Sequence, residues 1–233
     1  MGRFDAIRAA IIDLDGTMLD TAPDFQSAIN RMRADLQLAP LDLVQVKNLV
    51  GKGSENLLRQ VLAVNYDDAG VTARLDAAMA SYQRHYAEIN GQHAALYPDV
   101  VAGLEGFRAR GIRLACVTNK PIAFTLPLLK QFGLHDYFDV IYGGDSLPTK
   151  KPDPGPFRQV CKDFALAPHQ VLAIGDSSND AVAARAAGCS VLTVPYGYNH
   201  GESVQKIDSD GIVATLLEAA RQMPQPVASR HTP

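Results

Sequence analysis

Two aspartates, one residue apart, follow an apolar run near the start of the chain. The segment "AAIIDLDGT", residues 9–17, ends in Asp13 and Asp15 and continues into Gly16 and Thr17. Aliphatic residues favour the interior, whereas a buried carboxylate is costly unless a cation or hydrogen-bond donors lie beside it. The spacing therefore indicates a place where negative charge is needed, either to bind a cation or to transfer protons.

Other apolar runs also end in polar residues that could join these carboxylates. "LACVTNK" ends in Thr118, Asn119 and Lys120, and "VLAIGDSSND" ends in Asp176 and Asp180. Lys151 follows a third run. Ligands bind at the carboxyl ends of the strands in an open parallel sheet, so we expect these side chains to converge. Clustered carboxylates favour a hard cation such as Mg²⁺. A lysine and a Thr-Asn pair beside that ion would complete a phosphate site.

Each motif taken alone also has a simpler structural explanation. Asp13 could be the N-cap of a helix, Thr118 could belong to a turn, and Asp176 could mark a helix start. Lys151 precedes a proline and could be a solvated loop residue. An EF-hand is excluded, because its glycine should follow the first Asp by five residues and Gly16 follows by three. The shared position at the ends of apolar runs favours one common site.

The elements that position these residues are short strands alternating with amphipathic helices. The runs are brief and rich in β-branched residues, as in strands covered by helices on both faces. "PDVVAGLEGFRARG" places Val100, Leu104 and Phe107 on one face and ends at Gly111. Four such alternations after about residue 96 predict a Rossmann-like, doubly wound α/β parallel sheet.

A long segment after the first strand breaks this rhythm. It has no convincing strand and contains helical patterns, as in Leu75, Met79, Tyr82 and Tyr86. A stretch of this length is not a loop, so we expect an all-helical domain inserted after the first strand. The tail is polar and proline-rich, which is typical of disorder. The predicted parts are a catalytic core of residues 1–17 and 96–222, a helical insertion of residues 18–95, and a disordered tail of residues 223–233.

The composition limits the class of protein. The chain has 233 residues, 47% of them hydrophobic, and a net charge of -3, so nothing favours binding to nucleic acid. No apolar run is long enough to cross a membrane, and the N-terminal residues lack a signal-peptide pattern. Three cysteines, Cys116, Cys161 and Cys189, are too few for a disulfide framework. We expect a cytoplasmic protein with buried, unpaired thiols.

In these features the chain resembles the haloacid dehalogenase-like hydrolases. The first motif of that family, D-x-D-G-T, stands at residues 13–17, and the second is the apolar strand ending in Thr118. The third is "KPDP" with Lys151, and the fourth is "GDSSND" with Asp176 and Asp180. The resemblance extends to about residue 220, and the insertion point matches the C1 cap of the family.

The resemblance implies Mg²⁺-dependent hydrolysis of a phosphomonoester through an aspartyl phosphate. Asp13 would be the nucleophile, and Asp15 would protonate the leaving alcohol and later accept a proton from water. An acidic residue at position 15 implies a phosphatase or phosphomutase, since other branches of the family carry Thr, Ala or an aromatic residue there. The implied catalytic residues are Asp13, Asp15, Thr118 and Lys151. The implied metal ligands are Asp13, the backbone carbonyl of Asp15, Asp176 and, directly or through water, Asp180. The implied phosphate contacts are Gly16, Thr118, Asn119 and Lys151.

Three further segments, "LVGKGSENLL", "VTNKP" and "YGYNHGE", resemble the phosphoglycolate phosphatases. The small phosphorylated partner is then expected to be 2-phosphoglycolate, with Lys52 and the helix start near Ser54 as candidates to meet its carboxylate. For Lys52 a solvated loop position is an alternative, and for His200 a structural or surface position. A sugar-phosphate phosphatase, for example for N-acetylmuramate 6-phosphate, a β-phosphoglucomutase-like phosphomutase and a non-enzymatic phosphate sensor remain open. We expect a monomer or homodimer.

Overall fold

The structure is a computed structural model and describes residues 3–225. Strands and helices alternate over residues 95–193, as the sequence predicts, and four helices follow one another before them. The strands are β1 (Ala9–Ile12), β2 (Leu19–Asp20), β3 (Ala95–Leu96), β4 (Arg113–Val117), β5 (Val140–Tyr142), β6 (Val171–Gly175), β7 (Ser190–Thr193) and β8 (Gly211–Ile212). The helices are α1 (Ala22–Asp35), α2 (Leu43–Leu49), α3 (Ser54–Ala63), α4 (Asp68–Ile89), α5 (Val100–Ala109), α6 (Ile122–Gln131), α7 (Gly155–Asp163), α8 (Ser178–Ala187) and α9 (Leu216–Arg221).

The main sheet is parallel throughout and has β1 near its middle. Its strand order is β5-β4-β1-β6-β7-β8, and every neighbouring pair within it is parallel. The chain therefore starts in the centre, builds outward on one side through β4 and β5, and then returns to the other side. This reversal is the doubly wound arrangement, and it places a crevice at the carboxyl ends of the central strands. The predicted fold class is confirmed.

Alternating residues of the central strands feed two separate apolar clusters. Ala10 and Ile12 point into a cluster with α5 and α9, whereas Ala9 and Ile11 join α7 and α8 on the opposite face. This follows from the two-residue period of a strand. All residues of β1 and β6 are buried, so the prediction of strands apolar on both faces is confirmed for these two strands, whereas β5 is only partly buried.

Helices α1–α4 form a third cluster of their own, and we call this part, residues 22–89, the cap. Leu75, Tyr82 and Tyr86 are buried in it, and Met79 packs at its margin, so the face predicted for α4 turns inward. Among the described residues outside the cap, only Tyr198, in the loop after β7, is buried in this cluster. The division into a core and an inserted cap remains our proposal, supported by this separate apolar cluster.

Four short elements, the strands β2, β3 and β8 and the helix α2, are absent from the sequence prediction. β2 precedes the cap in the sequence and β3 follows it, and the two strands pair antiparallel with Leu19 opposite Leu96. β8 adds a strand of two residues to the edge of the main sheet. α2 is capped by Asp42, whose side chain accepts a hydrogen bond from Gln45 N–H. Elements this short show too little periodicity to be read from the sequence.

Predictions about the cysteines, membrane-spanning segments and the tail can also be compared with the structure. The three cysteines are buried and unpaired. None of the helices in residues 3–225 is long and apolar enough to cross a membrane. Of the predicted tail, residues 226–233 lie outside the described part, and Met223 is buried against the core.

Candidate active site

The strand register brings the predicted acids to one edge of the sheet. Ile12 of β1 lies opposite Cys116 of β4 and Ile174 of β6. Asp13, which follows Ile12, therefore lies beside the residues that follow the two neighbouring strands. Those residues include Thr118, Asn119 and Asp176. No helix begins at Asp13, since α1 starts at Ala22, so its interpretation as a helix cap is wrong.

Lys151 connects two of these carboxylates. Its Nζ lies 2.8 Å from Asp13 Oδ1 and 2.7 Å from Asp180 Oδ1. Its side chain is only 2% exposed, so the interpretation as a solvated loop residue is wrong. Asp180 also accepts hydrogen bonds from the backbone N–H and the hydroxyl of Ser177 at the start of α8. Asp180 therefore both stabilises the helix start and holds the lysine.

Asp176 is held by the loop that carries the first motif. Its Oδ1 accepts a hydrogen bond from Thr17 Oγ1 at 3.0 Å, and its Oδ2 accepts one from the backbone N–H of Tyr198. Gly16 has a φ of +83°, and a Cβ there would lie 2.4 Å from Asp176 Oδ2. Gly16, which the resemblance implies as a phosphate contact, therefore packs against Asp176 and allows the loop to approach it.

Replacing Gly16 by Ala is expected to damage both folding and the site. The left-handed backbone costs about 1–2 kcal/mol for an L-residue, and the new Cβ would also displace the Asp176 carboxylate. A displacement of about 1 Å in an active site can lower the rate about 100-fold. The measurement is the melting temperature together with the Mg²⁺ concentration dependence of phosphate release.

Gly133→Ala is the matched control for this substitution. Gly133 also has a positive φ, +68°, but nothing lies within 4 Å of a Cβ built there. This variant should lose stability by a similar backbone cost and keep its Mg²⁺ dependence. Equal effects of the two variants on Mg²⁺ dependence would show that Gly16 has no special relation to Asp176.

The carboxylates at this edge suit a divalent cation. Oxygens of Asp13, Asp176 and Asp180 all lie within 4.8 Å of one another. An all-oxygen set of this kind fits Mg²⁺ better than a metal that prefers sulfur or imidazole. The carboxylate of Asp15 is not part of the cluster, because it accepts hydrogen bonds from Thr21 Oγ1 at 2.7 Å and Lys120 Nζ at 2.9 Å. This is compatible with the expected ligand at Asp15, which is its backbone carbonyl.

Burial and mutual repulsion disturb the protonation of this cluster. Burial raises the pKa of Asp13 to about 7, although Lys151 opposes the change. Burial, followed by the charges of Asp180 and Asp13, raises the pKa of Asp176 well above its usual range. Burial works to lower the pKa of Lys151, but Asp13 and Asp180 outweigh it and hold that pKa above its usual value. Without a cation, the site therefore retains protons that an exposed carboxylate would release.

The stabilising effect of Mg²⁺ is expected to grow with pH. The pKa of Asp13 rises from 3.8 to about 7 on folding. Across that interval the folded protein binds more protons than the unfolded chain, so the ion-free protein loses stability as pH rises. Mg²⁺ competes with those protons and should therefore bind better toward pH 7. Thermal melting with and without Mg²⁺ at several pH values measures this effect. At a Mg²⁺ concentration of about 100 times Kd, the free energy of unfolding should rise by about 2.7 kcal/mol.

Asp176→Asn is the control for this pH dependence. It removes one carboxylate of the cluster and should weaken the response to Mg²⁺ at every pH. A melting shift that is independent of pH, or unchanged in this variant, would contradict a cation held by these acids.

Thr118 and Asn119 line the same crevice. Thr118 Oγ1 accepts a hydrogen bond from the backbone N–H of Lys120, which leaves its own hydrogen available. The backbone N–H of Asn119 has no acceptor within residues 3–225. The Asn119 side chain donates to the carbonyls of Gly51 and Lys151. It therefore links the core to residues 50–53, the loop between α2 and α3 that we call the cap loop. These two residues can offer donors to the oxygens of a phosphate.

The cap loop reaches the crevice, but its lysine does not line it. Ser54 and Gly51 contribute to the wall, and Asn179 Nδ2 donates to Gly51 O and contacts His200 Nε2 at 3.3 Å. Lys52 lies instead in a neighbouring open hollow beside Lys150. The structure therefore brings Ser54 to the predicted site, places Lys52 outside its wall, and gives His200 a contact that helps hold the loop.

Cap and core together enclose a cavity of about 50 Å³ above the acids. Its upper wall is aromatic and comes from the cap residues Phe25, Tyr82 and Tyr86, with Phe124 from α6. Lys120 also lines it, as expected for a residue at the end of the second apolar run, but the sequence alone gives this lysine no role in the site. Its position in "VTNK" directly after Asn119 is a signal for it, but only the fold shows that the side chain turns inward.

Comparison with known proteins shows the family of the chain. Residues 10–194 match the family model described as haloacid dehalogenase-like hydrolase, and the chain belongs to that family. It is 49% identical over 215 residues to the phosphoglycolate phosphatase of Nitrosospira multiformis, covering 92% of this chain and 95% of that protein. It is 47% identical to the phosphoglycolate phosphatase of Thiobacillus denitrificans, covering 92% and 94%. The crystal structure of a predicted phosphoglycolate phosphatase from Haemophilus somnus superposes with a TM-score of 0.86 and 31% identity, covering 93% and 97%.

Proposed function

We propose that this protein is a Mg²⁺-dependent phosphomonoester hydrolase that converts 2-phosphoglycolate and water to glycolate and phosphate. The observation that supports it most is the carboxylate of Asp13, held 2.8 Å from Lys151 Nζ and beside two further acids that suit a divalent cation. Family membership supports the reaction class, and the names of the relatives support the substrate.

In the first step, an oxygen of Asp13 attacks phosphorus and the bond between phosphorus and the ester oxygen breaks. Asp15 gives the departing oxygen its proton. Two unit charges 4 Å apart repel by about 4 kcal/mol at an effective dielectric of 20, so the approach of a carboxylate to a phosphate needs positive charge nearby. Lys151 supplies part of it, and bound Mg²⁺ would supply the rest. Thr118 and the N–H of Asn119 hold the phosphoryl oxygens.

In the second step, water attacks the phosphorus of the aspartyl phosphate. Asp15, which lost its proton in the first step, takes a proton from this water. The bond between phosphorus and the Asp13 oxygen then breaks, which releases phosphate and restores the carboxylate. Asp15 is held for both transfers by Thr21 Oγ1 and Lys120 Nζ.

The size of the cavity favours a short substrate. A volume of about 50 Å³ holds roughly three to five water-sized spheres, which suits a two-carbon acid beside the phosphate site better than a hexose. Sugar-phosphate phosphatase and phosphomutase activities, the alternatives left open by the sequence, act on larger leaving groups and are tested in the screen below. We also infer that the protein is cytoplasmic and that it is a monomer or a homodimer.

A phosphate-release screen tests the function. The purified protein is given 2-phosphoglycolate, N-acetylmuramate 6-phosphate or glucose 1-phosphate, with Mg²⁺ and then with EDTA. We expect release from 2-phosphoglycolate to be fastest and to stop with EDTA. Conversion of glucose 1-phosphate to glucose 6-phosphate without free phosphate would indicate a mutase instead. Binding without any turnover would indicate a phosphate sensor.

A further inference from the structure

We propose that Lys120 recognises the carboxylate of the leaving group and so sets the preference for a phosphorylated short-chain acid. The inference rests on the proposed hydrolysis of 2-phosphoglycolate and assigns a residue to its selectivity. Lys120 takes the place of Lys52, one of the two candidates that the sequence offered, because Lys52 lies outside the cavity wall.

Lys120 is a buried ammonium group at the junction of core and cap. Its side chain is 1% exposed, and its Nζ lies 4.4 Å from the ring centre of Phe25 and 4.8 Å from that of Tyr86. Nζ donates hydrogen bonds to Asp15 Oδ1 at 2.9 Å and to Tyr86 Oη. Core residue Asp15 and cap residues Phe25 and Tyr86 therefore surround a single cation.

Lys120 retains the capacity to bind one more acceptor. An ammonium group has three N–H donors, and the partners found in the described chain account for two of them. Lys120 and Lys151 are the basic residues that line the described cavity. Lys151 already faces the two carboxylates of Asp13 and Asp180. A substrate carboxylate entering the aromatic part of the cavity needs a cation or hydrogen-bond donors beside it, and Lys120 is the cation placed there.

The distance from Asp15 fits a two-carbon acid. Asp15 protonates the ester oxygen in the proposed reaction, so that oxygen lies one hydrogen bond from its carboxylate. In 2-phosphoglycolate one methylene separates this oxygen from the carboxylate carbon, so the carboxylate oxygens lie about 3 Å from it. Lys120 Nζ is itself one hydrogen bond from Asp15 Oδ1. Both ends of the leaving group therefore fall within reach of this pair.

Tyr86 adds a second donor from the cap. Its hydroxyl accepts the hydrogen bond from Lys120, and its own hydrogen has no acceptor among residues 3–225. Burial, and next the charge of Asp15, raises the pKa of Tyr86 well above its usual value, so this hydroxyl keeps its hydrogen at neutral pH. A carboxylate that bridges Lys120 and Tyr86 would also join the cap to the core.

The test compares two substrates of equal length. 2-Hydroxyethyl phosphate has a hydroxymethyl group where 2-phosphoglycolate has its carboxylate. We expect Lys120→Met to lower the ratio of kcat/KM for 2-phosphoglycolate to kcat/KM for 2-hydroxyethyl phosphate by at least about tenfold. Lys120→Arg should recover part of the ratio. A role of Lys120 only in positioning Asp15 would lower both values alike and leave the ratio unchanged, which would overturn the proposal.

Two further variants complete the test. Lys52→Met should keep the wild-type ratio; if the ratio collapses there instead, the carboxylate is bound at Lys52 and the proposal is wrong. Tyr86→Phe keeps the ring and removes the hydroxyl, and it should lower the ratio by about two- to fivefold; it decides the matter if Lys120→Met does not fold. A wild-type protein that hydrolyses neither substrate would refute the proposed function itself. A wild-type protein that hydrolyses both equally well would refute only the assignment of Lys120.

Discussion

Replacing Asp13 by Asn is expected to abolish turnover while leaving the protein folded. The amide has nearly the same shape but is not a nucleophile, so the aspartyl phosphate cannot form. Removing a nucleophile of this kind lowers kcat by roughly four to six orders of magnitude. Burial already raises the pKa of Asp13 to about 7, so a neutral side chain is tolerated at this position. Phosphate release measures the loss of turnover, and thermal melting measures whether the variant remains folded.

Asp136→Asn serves as the control for this variant. It makes the same change of Asp to Asn at a residue whose side chain is 98% exposed and paired with His135. It should match the wild-type protein in rate and in melting temperature. Substantial activity in Asp13→Asn, above any trace of deamidated or contaminating enzyme, would contradict covalent catalysis by Asp13.

Asp15→Asn is expected to separate the two chemical steps. With 2-phosphoglycolate the leaving oxygen needs a proton, so the loss of the acid should cost about 10²- to 10⁴-fold in rate. With p-nitrophenyl phosphate the leaving phenolate departs without one, and the first step should remain fast. The second step still lacks its base, so the aspartyl phosphate accumulates. Rapid mixing should then show a burst of about one equivalent of p-nitrophenol per enzyme, followed by slow turnover.

The burst discriminates between proton transfer and mere positioning. If Asp15 only anchored Lys120 and Thr21, both substrates would slow to a similar degree and no burst would appear. The double variant Asp13→Asn/Asp15→Asn provides the baseline, because it should show neither the burst nor turnover. A steady rate without a burst in Asp15→Asn would refute its role as the base of the second step.

The acidic edge of the site could be predicted because its information is local. Asp13 and Asp176 each follow a buried apolar strand, and parallel strands place their carboxyl ends together whatever the rest of the chain does. The same argument applies to Thr118. Lys151 required more, because it follows β5 only after a loop, and its inward orientation depends on the carboxylates of Asp13 and Asp180.

The cap side of the site could not be predicted in this way. Tyr86 and Phe25 look like ordinary apolar positions on amphipathic helices, and whether such a ring faces the cap interior or the cavity depends on how the helices sit over the sheet. Lys52 looked suitable because it lies in a glycine-rich loop, but the loop presents Gly51 and Ser54 to the cavity instead. Lys120 lies next to Asn119 in the sequence, yet its partners are Asp15 and Tyr86.

The small ribbon of β2 and β3 bears on how the two halves of the molecule are linked. Leu19 lies opposite Leu96, so the chain departs from the sheet and rejoins it at neighbouring points. Bending at these two segments would leave the main sheet in register, because β2 and β3 lie outside that sheet. The ribbon begins at Leu19, which also pairs with Asp15, so a tilt of the cap helices would act on the turn that carries the proton donor. Substrate entry and the alignment of that carboxyl group would then be coupled through residues 15–20.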